Sequence, residues 1–180
     1  MRDRHIKDGI KIAISGKSGC GNSTVSRIVA NRLGLRLVNY TFRALAKEKG
    51  ITFEEVRRNA EEDDSWDRYL DKRQVELATE GNCVLGSRLA VWMLKDADLT
   101  VYLTASLAVR AARIQRREGG DFDAVLQKTN ARDERDRQRY MNLYGIDNNE
   151  YGFVDLPIDT ENLAAEQVAE RIISRARTIQ

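Results

Sequence analysis

One proline, one histidine and two cysteines in 180 residues leave this chain short of the raw material for several chemistries. Neither Cys20 nor Cys83 sits in a metal-ligand spacing, which argues against a zinc ribbon and against a disulfide framework. A reduced cytoplasmic protein with neither cysteine bonded is the expectation. The lone His5 falls in a charged N-terminal stretch and reads as solvated tail rather than as a catalytic base. Long apolar runs are missing too: the longest are strand-sized, and the chain starts without a hydrophobic signal region, so no membrane span or export is expected. An excess of one charge is also lacking, since 30 Lys and Arg face 28 Asp and Glu for a net +2. No basic field covers the whole surface to draw it to nucleic acid.

What is present is an alternation of short apolar β-type runs with longer helical patterns, the mark of a single α/β domain with a parallel sheet. Strands are expected at Ile10 to Ser15, Leu35 to Asn39, Asn82 to Leu85, Leu99 to Leu103 and Phe153 to Ile158. Between the first two, Val25, Ile28, Val29 and Leu33 recur at helical spacing and Gly34 stops the helix. Residues 41–81 read as helical with one break, at Gly50. A helix runs from Ser106 to the pair Gly119-Gly120, another from Phe122 to Leu143, and a last one begins near Asn162. The only proline, Pro157, lies in the final strand; it has no N–H for a ladder, so that strand should be an edge.

The first strand leads into Gly16, Lys17, Ser18, Gly19, Cys20, Gly21, Asn22, Ser23 and Thr24, and then into a helix. Strand, glycine-rich turn, helix is the context of a phosphate loop. The glycines let the backbone curl with its N–H groups inward, and the helix N-terminus adds partial positive charge. Ser23 holds the hydroxyl position that ligates Mg²⁺ in such loops. Asn22 stands where the pattern G-x-x-x-x-G-K-[ST] has lysine, so a cation at the terminal phosphates is lost. Lys17, one residue past the first glycine, either replaces that charge, alone or with a lid arginine, or is a solvated loop residue.

Arginine supplies the second theme. Arg43 follows the second strand, Arg88 follows the third, and Arg73 lies in a helix. Ligands of open α/β sheets sit beyond the carboxyl ends of the strands, so Arg43 and Arg88 should face a cleft. Arg113 and Arg117 form one further cluster; Arg132, Asp136 and Arg139, spaced four and three apart, share a helical face in another. A solvated helix laced with ion pairs would show similar spacings. Two guanidiniums about a carboxylate are also suited to reading phosphate and sugar hydroxyls. Gly119 and Gly120 make a hinge about which this region can close.

These residues resemble the cytidylate kinases of the nucleoside monophosphate kinase group, most of all the archaeal-type branch, in IAISGKSGCGNSTV, FRALA, LDKRQVELA, SRLAVWM, RIQRREGG, RDERDRQRY, LYGID and DLPIDT. That branch often carries threonine in place of the loop lysine. The resemblance implies a three-layer P-loop NTPase fold with a five-stranded parallel sheet in order 2-3-1-4-5. Its core would be 9–40, 82–117 and 152–180, with a helical monophosphate-binding insert at 41–81 and a lid at 118–151. It implies transfer of the ATP γ-phosphoryl group to CMP or dCMP with Mg²⁺, by a monomer, with Lys17, Arg88, Arg117 and Arg139 as catalytic residues. Residues 16–24 and Ser23 in particular would hold ATP and its metal. Arg113 would stack on the donor base and Arg117 would meet the transferring phosphates. Arg43, Arg88 and Arg139 would hold the acceptor phosphate, Arg73 its base, and Arg132 with Asp136 its sugar. Gly86 and Leu89 depart from the family patterns, which place a carboxylate at the first position and, in bacterial members, a base-contacting aspartate at the second. The competing reading is a nucleotide-binding module that does not phosphorylate. A nucleic-acid binder is the weaker third, because Asp121, Asp123, Asp133 and Asp136 dilute the basic lid.

Overall fold

The computed structural model describes residues 6–179, so His5 lies outside them. Five strands form one parallel sheet: β1 (Lys11–Gly16), β2 (Arg36–Val38), β3 (Cys83–Gly86), β4 (Leu99–Thr104) and β5 (Leu156–Asp159), in the order β2-β3-β1-β4-β5. This is the order the family resemblance implies. Pro157 pairs in register with Tyr102 on the outer strand β5, where its missing N–H faces no neighbour. The final strand starts at Leu156 rather than Phe153, because residues 151–154 turn before it, with Val154 N bonded to Tyr151 O at 3.2 Å.

Side chains alternate along β1, and so do the two layers that cover the sheet. Ile12 and Ile14 pack on α1 (Asn22–Leu33) and on the C-terminal helix α8 (Ala165–Ala176) through Val25, Val29, Val168, Ile172 and Ile173. Ala13 and its neighbours on β3 and β4 pack on the opposite side, against Ala78 of α4 (Ser65–Thr79) and against α5 (Ala90–Met93). Each fully buried Val or Ile in these layers contributes about 1.5–3 kcal/mol. The short α5 has no counterpart in the sequence expectation, since four residues are too few to show a period.

Residues 41–81 break twice rather than once. Helices α2 (Phe42–Lys49), α3 (Phe53–Glu62) and α4 are separated at Gly50 and again at Asp63-Asp64. Asp63 causes the second break by accepting bonds from Ser65 N and Oγ at 2.8 and 2.6 Å, local competition with helix continuation. This segment has a small core of its own in Leu45, Ala46 and Val56. On the other side, α6 (Leu107–Glu118) and the long α7 (Phe122–Tyr144) pack on each other and turn through Gly119 and Gly120 at φ 78° and 99°. The last helix starts at Ala165, slightly later than expected. Among the described residues no helix is long and apolar enough to cross a membrane.

Candidate active site

The sheet delivers β1 into the loop at Gly16, whose place admits no side chain: a Cβ there would lie 2.8 Å from Leu103 O. Gly19, at φ +85°, passes so close to α6 that a Cβ would sit 2.7 Å from Arg110 O. Helix α1 then starts at Asn22 with no side-chain cap and no acid in its first turn, whereas Thr41, Thr52, Ser106 and Asp121 cap α2, α3, α6 and α7. The first N–H groups of α1 are thus left to an anionic ligand.

Two arginines of α6 hold two of the loop carbonyls, Ser18 O and Gly19 O. Arg110 is buried and donates to Ser18 O at 3.1 Å while holding Asp133 of α7 through both Nη atoms, at 3.2 and 2.6 Å. Arg113 donates to Gly19 O at 3.4 Å, and to Thr160 Oγ1 and O at 2.9 and 2.5 Å. Ser18 O and Gly19 O are thus held from the α6 side, while Cys20 N is bonded within the loop to Lys17 O at 3.1 Å. Arg110 carries no sequence signal beyond membership of an arginine-rich stretch, and its structural role is the residue-level feature missed there. Arg113 lines the cavity, and its N–H donors at the guanidinium edge go to the loop and to Thr160. Cys20 contributes backbone only: its side chain lies in the core, and burial pushes its thiol up to about 11.

Asn22 also lines the cavity, and its Oδ1 accepts a bond from Ser26 Oγ at 3.1 Å. The exposed Ser23 hydroxyl has no protein partner among the described residues. No group of three or more His, Cys, Asp or Glu that would cage a metal occurs among them. That donor set fits Mg²⁺, which keeps several waters and is held mainly by nucleotide phosphates plus one or two protein oxygens.

The loop forms one wall of a cavity of about 720 Å³, and α4, β3 and α7 form the facing wall. Arg132, Asp136 and Arg139 line it together, as their spacing predicted. Arg88 bridges the walls, donating to Asp136 at 2.5 Å and to Ser18 Oγ at 2.9 Å. Burial opposes the Arg88 charge, but Asp136 and Tyr140 more than offset this, so its pKa rises and it stays a guanidinium. Arg139 pairs with Asp67 and donates to Ala60 O at 3.3 Å. Arg117 lines the cavity mouth and pairs with its neighbour Glu118 at 2.5 Å. Lys17, Arg113 and Arg132 are the three lining cations without an ion-pair partner among the described residues, and of these only Arg113 has its guanidinium bonded to backbone and hydroxyl oxygens.

Two expected site residues are not brought to this cavity. The Arg43 guanidinium lies 4.3 Å from the Phe53 ring centroid and is not part of the lining. Arg73 turns to Glu76 at 3.4 Å. Its helix shows the cavity a different stripe, Asp67, Leu70, Asp71 and Gln74, at spacings of three, one and three that Arg73 does not share. Gln74 ties this stripe to the end of β2 through Tyr40 O at 2.7 Å, and Asp71 accepts from Tyr144 Oη at 2.7 Å. Buried Leu89 makes the cavity apolar where bacterial family patterns place an aspartate.

A family model described as the cytidylate kinase-like family matches residues 11–162. The chain is 48% identical over 167 residues to cytidylate kinase 2 of Borreliella afzelii, covering 91% of this chain and 94% of that one. It is 43% identical over 164 residues to the cytidylate kinase of Pyrococcus horikoshii, covering 90% and 85%. A shikimate kinase structure from Bacteroides thetaiotaomicron superposes with a TM-score of 0.62 at 14% identity, over 92% of this chain and 97% of that one, a likeness of fold alone.

Proposed function

Since the chain belongs to the cytidylate kinase-like family, we propose that it transfers the γ-phosphoryl group of ATP to the phosphate of CMP or dCMP. The observation that carries this reading is one cavity with two phosphate-seeking walls. The glycine-rich loop 16–24 and the start of α1 suit the donor, and Arg88, Arg132 and Arg139 face them from the other side. A module that merely bound one nucleotide would need only the first wall.

The acceptor phosphate is already a competent nucleophile, so no general base is required. The chain's work is to align two anions and neutralise the charge between them. Arg88 stands at the junction, touching both the loop and α7. Lys17 lines the cavity from the loop side with no close ion pair among the described residues, although Asp147 is near enough to feel its charge, and it supplies the positive charge that Asn22 does not. Arg117, at the mouth, meets the transferring phosphates once it leaves Glu118, and Arg139 holds the acceptor phosphate. Arg132 and Asp136 read the acceptor sugar, and the α4 stripe of Asp67, Asp71 and Gln74 takes the place foreseen for Arg73 at the base. Mg²⁺ arriving with ATP, and held by Ser23, would neutralise the donor phosphates. Closure of residues 118–151 excludes water and so limits ATP hydrolysis.

Asn22 and Gly86 favour a second reading, a binding module without turnover. ADP release measured with Mg·ATP against CMP, dCMP, UMP and AMP separates the two. Release with CMP or dCMP in excess of the other acceptors is expected; binding of nucleotides without release from any acceptor would leave only the module.

A further inference from the structure

Ser26 is a residue for which nucleotide binding as described so far has no use. It is fully buried on the inner face of α1, one turn beyond Asn22, and its hydroxyl donates to Asn22 Oδ1 at 3.1 Å. The space it occupies exists because residue 86 is glycine. A Cβ on Gly86 would stand 2.5 Å from Ser26 Oγ, 2.8 Å from Ser26 Cβ and 3.7 Å from Asn22 Oδ1. The neutral residue in the lysine position, the buried hydroxyl and the bare strand end therefore form one packed unit. Asn22 Nδ2 has no protein acceptor among the described residues, is not among the buried atoms lacking a partner, and belongs to a side chain that lines the cavity.

We propose that Ser26 is a positioning residue that orients the Asn22 amide, taking up its oxygen so that its NH₂ faces the terminal phosphates of the nucleotide. A primary amide has one acceptor end and one donor end, and phosphate oxygens only accept. An unanchored Asn22 could present its oxygen to the phosphates and repel them. With Oδ1 fixed by a buried donor, the amide is preset in the productive sense before nucleotide arrives, and the cost of ordering it is not met at binding. Gly86 has a matching role. It admits the Ser26 hydroxyl, and in leaving out a carboxylate it removes an anion that an uncharged Asn22 would be unable to offset.

This inference rests on the donor nucleotide lying in the loop, and its test reads binding rather than turnover, so it stays decisive if no phosphoryl transfer is found. Equilibrium affinities for Mg·ATP and for AMP are measured by calorimetry on the wild type, Ser26→Ala, Asn22→Ala and the double variant, with thermal melts to verify folding. Loss of an oriented hydrogen bond should weaken Mg·ATP about fivefold to tenfold in each single variant, with AMP unchanged. The double variant should be no weaker than Asn22→Ala, since Ser26 acts only through that amide. Additive losses, an unaffected Ser26→Ala or Asn22→Ala, or an equal loss for AMP would each overturn the proposal. Asn22→Asp provides a second route that leaves Ser26 in place: it keeps the acceptor for the hydroxyl but turns an anion toward the phosphates. It should bind Mg·ATP more weakly than Asn22→Ala, and equal or tighter binding would contradict the orientation proposed.

Discussion

Lys17 and Gly19 sit two residues apart in the loop and do opposite kinds of work. Lys17 supplies charge: its replacement by alanine should lower kcat by about 100-fold, the scale of losing one preorganised electrostatic contact to a transition state. Unchanged turnover in a steady-state assay would show that the charge comes from the arginines alone. Gly19 supplies absence. Its φ of +85° and its approach to the Arg110 backbone leave no room for a methyl group. Gly19→Ala should cost about 1–3 kcal/mol in denaturant unfolding and weaken ATP binding, because the loop must move off α6. Asp71 adds a pH signature. Burial pushes its carboxyl above the ordinary 3.8, and the Tyr144 hydroxyl only partly counters this. A carboxyl raised in the folded state binds its proton more tightly there, so stability is highest below the unfolded value and declines as pH climbs through the folded one. Asp71→Asn removes that decline. The melting temperature of the variant relative to wild type should rise from about pH 4 to about pH 7, and a flat difference would contradict the assignment.

At the scale of elements, α6 is the brace of the site and α7 the long helix packed on it. Arg110 and Asp133 join the two helices through a nearly buried ion pair, with side-chain exposures of 6% and 12%, and the same guanidinium reaches the loop at Ser18 O. Removing one partner strands a buried charge, so Arg110→Ala should destabilise by about 3–5 kcal/mol in urea unfolding. Replacing the pair by Arg110→Met with Asp133→Leu should cost much less stability while still weakening ATP binding, because the loop carbonyl loses its donor. Equal stability losses in the single and double variants would mean that packing, rather than charge, makes the joint. The opposite end of the sheet is governed by one residue: Pro157 is tolerated because β5 has a neighbour on one side only.

For the whole molecule, the cavity lies between two bodies of different character. The sheet with α1 and α8 forms a large continuous core, whereas residues 41–81 rest on a small one. The turn at Gly119 and Gly120 separates α7 from the helix that braces the loop. A ligand gripping Arg88, Arg132 and Arg139 at once should slow hydrogen exchange in 118–151 and in α4, with little change in β1 and β4, the inner and largely buried strands of the sheet. Exchange with Mg·ATP and CMP together tests this, and protection confined to 16–24 would argue against closure over the acceptor.

Much of this architecture is written locally. The strand, glycine turn and helix around 16–24 are neighbours in the chain, as are Pro157 in its strand and the stripe of Arg132, Asp136 and Arg139. Such features follow from φ, N–H inventory and helical period, all properties of adjacent residues. Sequence reading therefore reached the α/β class, the phosphate loop, the edge strand and the arginine face of α7, and family resemblance supplied the strand order. It placed Arg43 and Arg73 in the cleft, but Phe53 and Glu76 hold them elsewhere. It passed over Arg110, whose partner Ser18 lies 92 positions away, and Ser26, whose surroundings depend on Gly86 across the sheet boundary. Side-chain direction and burial are set by packing between segments distant in sequence, which no local pattern encodes. The sequence alone determined that this protein has a phosphate cradle without its lysine; only the tertiary structure decided which groups surround the asparagine that stands there.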